Sequence, residues 1–258
     1  MKQLMFLIIA GLLSQTISEA VETKLTPLND VTFNLSGLKP EQTHKYNWVI
    51  VTQKGAKRES KDYGVLVIST KMEGDKFLLH DTISVVPAYD GWVFDRRIKY
   101  PKDCLLRPDE ITLDISAEGK TVREMSYRNG EMKIEGKADT EHPQFDKGIL
   151  TFNALLRLAP LLPRDIGIGY SFQMYAEAFL FRIRKAKETN DSFTIHCEAQ
   201  ETVKIGEKSY KCVRFRMDLK SAVIRTVMWV AENNLVVKFV DIMPDGSEVD
   251  SLEATLQE

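Results

Sequence analysis

Cysteine, histidine and long apolar runs are all scarce in this chain, and each scarcity excludes something. Three cysteines, Cys104, Cys197 and Cys212, cannot all be paired within one chain, and none sits in a C-x-x-C motif. Four histidines, His44, His80, His142 and His196, stand far apart without the i, i+2 or i, i+4 spacing of metal ligands. No metal or other cofactor is expected. There is no G-x-S-x-G elbow, Walker loop or H-E-x-x-H, and no spaced carboxylate pair distinguishes itself from surface charge. An enzyme is therefore not the first expectation. Charge of one sign is lacking too: 35 basic residues face 37 acidic ones for a net charge of −2. Such a balance sets up no field that would gather nucleic acid.

Only the start of the chain carries a sustained apolar run. Lys2 precedes Leu4 to Leu13, and Ser18 and Ala20 place small side chains where signal peptidase reads positions −3 and −1. Ten apolar residues are too few to cross a hydrocarbon core that needs about 20. The reading is a signal peptide over residues 1–20, cleaved near Ala20, followed by one mainly-β domain over 21–258. The expected location is the periplasm or the outside of the cell. Cleavage removes one Lys and one Glu, which leaves the net charge unchanged. No later stretch is long enough to be a transmembrane segment.

Turn signals punctuate the rest of the chain: Gly74-Asp75, Asp90-Gly91, Glu118-Gly119, Asn129-Gly130, Gly206-Glu207, Asn233-Asn234 and Asp245-Gly246. Such pairs accept the positive φ of tight hairpins. The segments between them alternate. Val213, Phe215, Met217 and Leu219 point one way, while Arg214, Arg216 and Asp218 point the other; 193–200 repeats the pattern. This predicts an antiparallel meander with one dry and one wet face. Residues 172–184 (FQMYAEAFLFRIR) and 235–242 (LVVKFVDI) are apolar on both faces and need cover on both.

One passage departs from the β pattern. In TFNALLRLAPLLPRD (151–165), Phe152, Leu155, Leu156 and Ala159 make a helical stripe, and Leu150, Ala154, Leu158 and Leu161 occupy the far side. Pro160 and Pro163 stop the helix after about nine residues. A helix apolar nearly all round is buried on more than one side. It is either a plug in the core or a lid with one side on an apolar guest.

Polar residues give less direction. His196 and Cys197 are neighbours on a strand and point to opposite faces, so they cannot form a thiolate–imidazole couple; His80 and Asp81 are separated in the same way. Cys197 and Cys212 fall on the two strands of the Gly206 hairpin, sharing a face but about four residues out of opposition, too far for a disulfide. Arg182 and Arg184, with Arg214 and Arg216 if the strands lie close, could hold a headgroup phosphate or carboxylate. They could equally be a solvated strand end. Trp48, Trp92 and Trp229 read as core anchors.

The C-terminal segment VMWVAENNLVVKFVDIMPDGSEVDSLEATL carries Trp229 on a strand, a turn at Glu232-Asn233-Asn234, a strand LVVKFV, an Asp245-Gly246 turn and a last strand. It resembles the closing hairpins of the LolA/LolB-like periplasmic lipoprotein carriers, and equally a related periplasmic family of domains of unknown function. The resemblance implies a strongly curved antiparallel sheet, an incomplete barrel, covered by one or a few short helices, with an apolar concavity that accepts acyl chains in the carriers. The carriers' lid-latching arginine has no counterpart here, and no lipobox cysteine succeeds the leader.

Three readings result, in order of preference. In the first, an exported binding protein holds a lipid or other apolar ligand against Phe152, Leu155, Leu156, Leu158, Met174, Phe179 and Phe181, with Arg182, Arg184, Arg214 and Arg216 at its headgroup. In the second, a structural or partner-binding envelope protein has a filled core and no small ligand. The third, an enzyme of unrecognised type, would need polar groups converging from distant strands, and Cys104 beside His142 in a cleft would favour it.

Overall fold

A computed structural model describes residues 25–34, 39–54, 57–102, 104–134, 137–139, 149–175, 190–219, 225–242 and 251–257. The first meander comprises β2 (Glu41–Lys54), β3 (Lys57–Glu73), β4 (Lys76–Val85), β5 (Trp92–Pro101), β6 (Glu110–Ala117), β7 (Lys120–Arg128), β8 (Glu131–Ile134) and β9 (Lys137–Asp139). A second comprises β11 (Gly169–Tyr175), β12 (Asn190–Ile205), β13 (Lys208–Leu219), β14 (Arg225–Ala231), β15 (Val236–Ile242) and β16 (Ser251–Leu256). The last strand β16 pairs antiparallel with β2 and welds the two runs into one sheet. Two short strands, β1 (Leu25–Pro27) and β10 (Ile149–Thr151), lie parallel to β11. Among the described residues the sheet has 16 strands.

The hairpin chemistry is local. Glu118-Gly119 and Asn129-Gly130 have positive φ at both residues, the type I′ signature whose twist matches that of the strands it joins. Gly74 and Gly206 supply a positive φ at the first turn residue, and Asn234 closes the β14–β15 connection at φ 63°. Asp245-Gly246 lies outside the described residues. Gly64 answers a different need. It faces Trp48 beside a register shift in the β2–β3 pairing, and a Cβ there would stand 2.2 Å from the Ser84 carbonyl oxygen.

Alternation assigns the faces as expected. Phe193, Ile195, Phe215, Met217, Met228, Phe239 and Ala254 are buried, and the dry face continues through Tyr46, Leu66, Ile68, Leu79, Ile98 and Ile111 into one core. Tyr46 is buried full length and donates its hydroxyl to the Val236 carbonyl at 3.0 Å. That bond ties β2 to β15 across the intervening β16. Trp48 stacks edge-on against Tyr63 and Phe239.

The strongly curved incomplete barrel is overturned. The strand path runs open from β1 at one end to β9 at the other, and among the described residues no pairing joins those ends. Nor, among the described residues, does the dry face line a hollow. It is packed with Tyr, Phe and Leu side chains exposed by 2 % or less at its centre. The expectation failed because two-sided apolar strands report only that both faces are covered. A packed core covers them as well as a cavity wall does.

The apolar 151–165 passage is the cover. Helix α1 (Phe152–Leu158) runs into a single 3-10 turn at Ala159–Leu161, where Pro160 ends the α-helical hydrogen bonding. Leu155, Leu156 and Leu158 are 2, 4 and 1 % exposed, so both apolar sides are buried. Each such leucine contributes roughly 1.5–3 kcal/mol by leaving water. The segment is anchored at both ends. Arg157 donates to the Ile68 carbonyl on β3, and Asn34 N–H reaches the Leu161 carbonyl at 2.8 Å. Arg164, just past the 3-10 turn, donates to the carbonyls of Ala231 and Pro160 and to the Asn234 side chain.

Candidate functional site

The apolar wall expected of a binding protein is part of the core. Leu155, Leu156 and Leu158 belong to the main buried cluster together with Ala154, Ala159 and Leu161, which leaves none of these described side chains free for a guest. The holding of an apolar ligand in a concavity is corrected on that ground. Phe152 heads α1 and Met174 lies on β11, opposite Leu150 and Asp191. Phe179, Phe181, Arg182 and Arg184 lie outside the described residues, as does His142. Two open depressions in the surface, about 350 and 560 Å³, are lined largely by charged and polar residues. Arg164, Glu201 and Lys211 border the first, and Glu110, Arg128 and Lys133 the second.

Arg214 and Arg216 are on the wet face, where strand pairing sets them in a ladder of opposite charge. Arg216 meets Glu198 at 2.6 Å and Asp218 at 2.7 Å, and Arg214 meets Glu198 at 3.1 Å and Glu201 at 3.5 Å. Asp218 also takes a bond from Arg225 at 2.8 Å. Burial pushes its carboxyl up, but the Arg225 and Arg216 guanidiniums outweigh this and hold it below its ordinary value. Trp229 continues the ladder. Its indole N–H donates to Glu201 at 2.6 Å, and Lys238 lies over its ring at 5.5 Å. Lys238 in turn meets Glu253 at 3.1 Å, and Glu253 takes Arg58 at 2.5 Å. The two arginines are thus engaged by carboxylates of their own sheet.

The cysteines are free thiols. Cys212 pairs with Glu201 as the turn position required, but a register shift between Cys197 and Ala199 sets Cys197 opposite Phe215. Phe215 is an odd number of residues from Cys212, so the two thiols lie on opposite faces rather than sharing one. The sequence carried no signal for that bulge. Burial pushes both thiols up to about 11, which leaves them protonated and unreactive near neutral pH. His196 lies beside Arg216, on the face opposite Cys197.

Ionisable groups were missed where they matter most, on the dry face. One cross-strand row reads His44, Ile68, Asp81, Arg96, Leu113 and Met125. Asp81 and Arg96 are 1 and 2 % exposed, and the guanidinium grips both carboxylate oxygens, Nε donating to Oδ2 at 3.0 Å and Nη2 to Oδ1 at 3.0 Å. This is a buried bidentate pair. Arg157 enters the same region from α1, itself 6 % exposed. Burial lowers its pKa, and the nearby Tyr46 and Asp81 oppose that. His44, half-buried, is pushed down to about 4 by burial and by Arg157 and Lys39; it is neutral at physiological pH. A second buried acid, Asp241, accepts a bond from Thr226 Oγ1 at 2.5 Å. The signal for these residues was present. Asp81 interrupts the series Phe77, Leu79, Ile83, Val85, and Arg96 interrupts Phe94, Ile98, Tyr100.

Among the described residues no group of three or more His, Cys, Asp or Glu could hold a metal ion, and no helix is long and apolar enough to cross a membrane. No protein-family model matches the chain, and no curated protein is similar to it. Among solved structures it is similar to a β-barrel-like protein of a domain of unknown function, DUF1849, from Brucella abortus. That match has 10 % identity and a TM-score of 0.50, over 84 % of this chain and 96 % of the other. A DUF1089 family protein from Pseudomonas aeruginosa is 11 % identical, with a TM-score of 0.40, over 72 % of this chain and 93 % of that one. The Brucella match is a likeness of fold alone.

Proposed function

We propose that this chain is an exported structural or partner-binding protein that works through its surface and encloses no small apolar ligand. The observation that carries this reading is the burial of α1. Its leucines fill the core from both sides, so the element that would have roofed a binding cavity is a plug. The leader-like residues 1–20 support export, and the place of action is then the periplasm or the exterior. A large wet sheet face with its charges paired in ladders suits contact with a polar partner surface.

Native mass spectrometry of protein purified from its own envelope tests the proposal. The expected mass is that of the polypeptide without residues 1–20, free of lipid, with a discrete heavier species after mild crosslinking. A stoichiometric lipid mass surviving purification, or saturable uptake of a fluorescent fatty acid, would overturn it.

A further inference from the structure

The hairpin of β2 and β3 outruns the strand beside it. β3 begins at Lys57 and pairs with β2 from there onward, whereas β4 pairs with β3 only over 64–73. The Val86 N–H still reaches the Tyr63 carbonyl at 2.9 Å, and the chain then turns off through Pro87–Tyr89. The outer edge of residues 57–62 (KRESKD) therefore meets no strand among the described residues. All of them except Glu59 are exposed. A bare edge turns unpaired N–H and C=O groups outward and is a template for another strand.

Charge is the usual guard on such an edge, and it guards by repulsion. The pattern here works the other way. Two copies laid antiparallel about Ser60 set Arg58 opposite Asp62 and Glu59 opposite Lys61, each twice, with Ser60 facing Ser60. Residues directly opposite have Cβ atoms about 4.5–5.5 Å apart, within reach for these ions to attract. Arg58, Ser60 and Asp62 share one face of the strand and Glu59 and Lys61 the other, so both faces of the joint are matched. Neighbouring registers are not. Centred on Glu59, the pairing sets Lys57 against Lys61; centred on Lys61, it sets that lysine against itself. The intermediate registers oppose Arg58 to Lys61 or Glu59 to Asp62. Like charges directly opposite repel, so one register is selected.

The charges are available for it. Among the described residues Lys61 and Asp62 meet no opposite charge. Lys57 meets Glu59 at 2.6 Å and Arg58 meets Glu253 at 2.5 Å, but both cations are well exposed, and such pairs hold weakly. We propose that the 57–62 edge of β3 is a docking surface for a second copy of this chain, joined antiparallel across a two-fold axis at Ser60. Backbone hydrogen bonds then carry one sheet into the other, as in β-strand addition, and the contact is isologous. A joint this short makes a weak dimer that salt loosens. The edge acts whether or not an envelope partner exists, so its failure leaves that reading standing.

Sedimentation velocity on the purified exported chain, from about 10 μM to about 1 mM, tests the joint. A reversible monomer–dimer equilibrium is expected, weakening as sodium chloride rises from about 0.05 to about 0.5 M. Lys61→Glu opposes two acids at each of two places and should weaken the dimer about tenfold or more, as should Asp62→Lys, which opposes cations. Adding Glu59→Lys to Lys61→Glu restores the match and should restore the dimer. Lys61 and Asp62 are exposed, and circular dichroism checks that the variants fold. A native chain that stays monomeric at low salt, a dimer indifferent to Lys61→Glu, or a double variant as weak as the single one would overturn the proposal.

Discussion

Replacing Asp241 by Asn should stabilise the protein, and only above a definite pH. Asp241 is 4 % exposed, on the dry face between Thr226 and Leu252. Burial lifts its carboxyl from an ordinary 3.8 to about 6, against the smaller downward pull of the Thr226 hydroxyl. In the unfolded chain the group loses its proton near 3.8; in the folded protein it keeps it until about 6. Between those values the native state binds more protons than the unfolded one, so raising the pH costs stability. Below the window the contribution is intact, and above it the loss is complete. At 1.36 kcal/mol per pH unit the difference comes to about 3 kcal/mol. Asn resembles the protonated acid in shape and still accepts from Thr226, but it never ionises. Equilibrium unfolding in urea should therefore give near-equal stabilities at about pH 3.5 and an advantage of about 3 kcal/mol for Asp241→Asn at about pH 8, with an unchanged m-value. Glu110, held low by its hydrogen bond from Lys99, and Asp218 lose stability in the opposite direction, on acidification. Both are common to the two proteins and cancel in the difference. Equal stability at the higher pH, or a less stable Asn variant there, would refute the reasoning.

Other substitutions separate core from surface. Leu156→Ala should cost about 2–5 kcal/mol in denaturant unfolding, because it opens a cavity in a packed region; a loss under about 1 kcal/mol would show the helix to be loosely seated. Asp81→Asn strands the Arg96 guanidinium in the core and should cost about 3–5 kcal/mol. The double change Asp81→Leu with Arg96→Met should recover most of that loss, as a double-mutant cycle would report. Arg214→Ala, by contrast, removes one rung of a half-exposed ladder. It should change stability by less than about 1 kcal/mol, with the difference shrinking as salt is added.

Much of the architecture was legible because it is written at short range. The Asn-Gly and Glu-Gly turns demand positive φ within two residues, and alternation along 193–197 and 213–218 names the dry and wet faces without any knowledge of neighbours. The helix at 152–158 and its end at Pro160 could be read for the same reason. The short-range pattern failed at the bulge between Cys197 and Ala199, where one extra residue exchanges the faces with no marker in the local composition. It also left open whether the helix was a plug or a lid, since an apolar side chain is written identically in either role.

Dihedral preference and periodicity, both local, set the strands, their turns and the apolar helix, and composition alone set the near-neutral charge. Long-range pairing settled that β16 joins β2, that no pairing among the described residues closes the sheet, and that Asp81 and Arg96 meet in the core with Arg157 close by. Those outcomes depend on registers between segments far apart in the chain. Burial and electrostatic partnership belong to such pairings, and no single segment contains them.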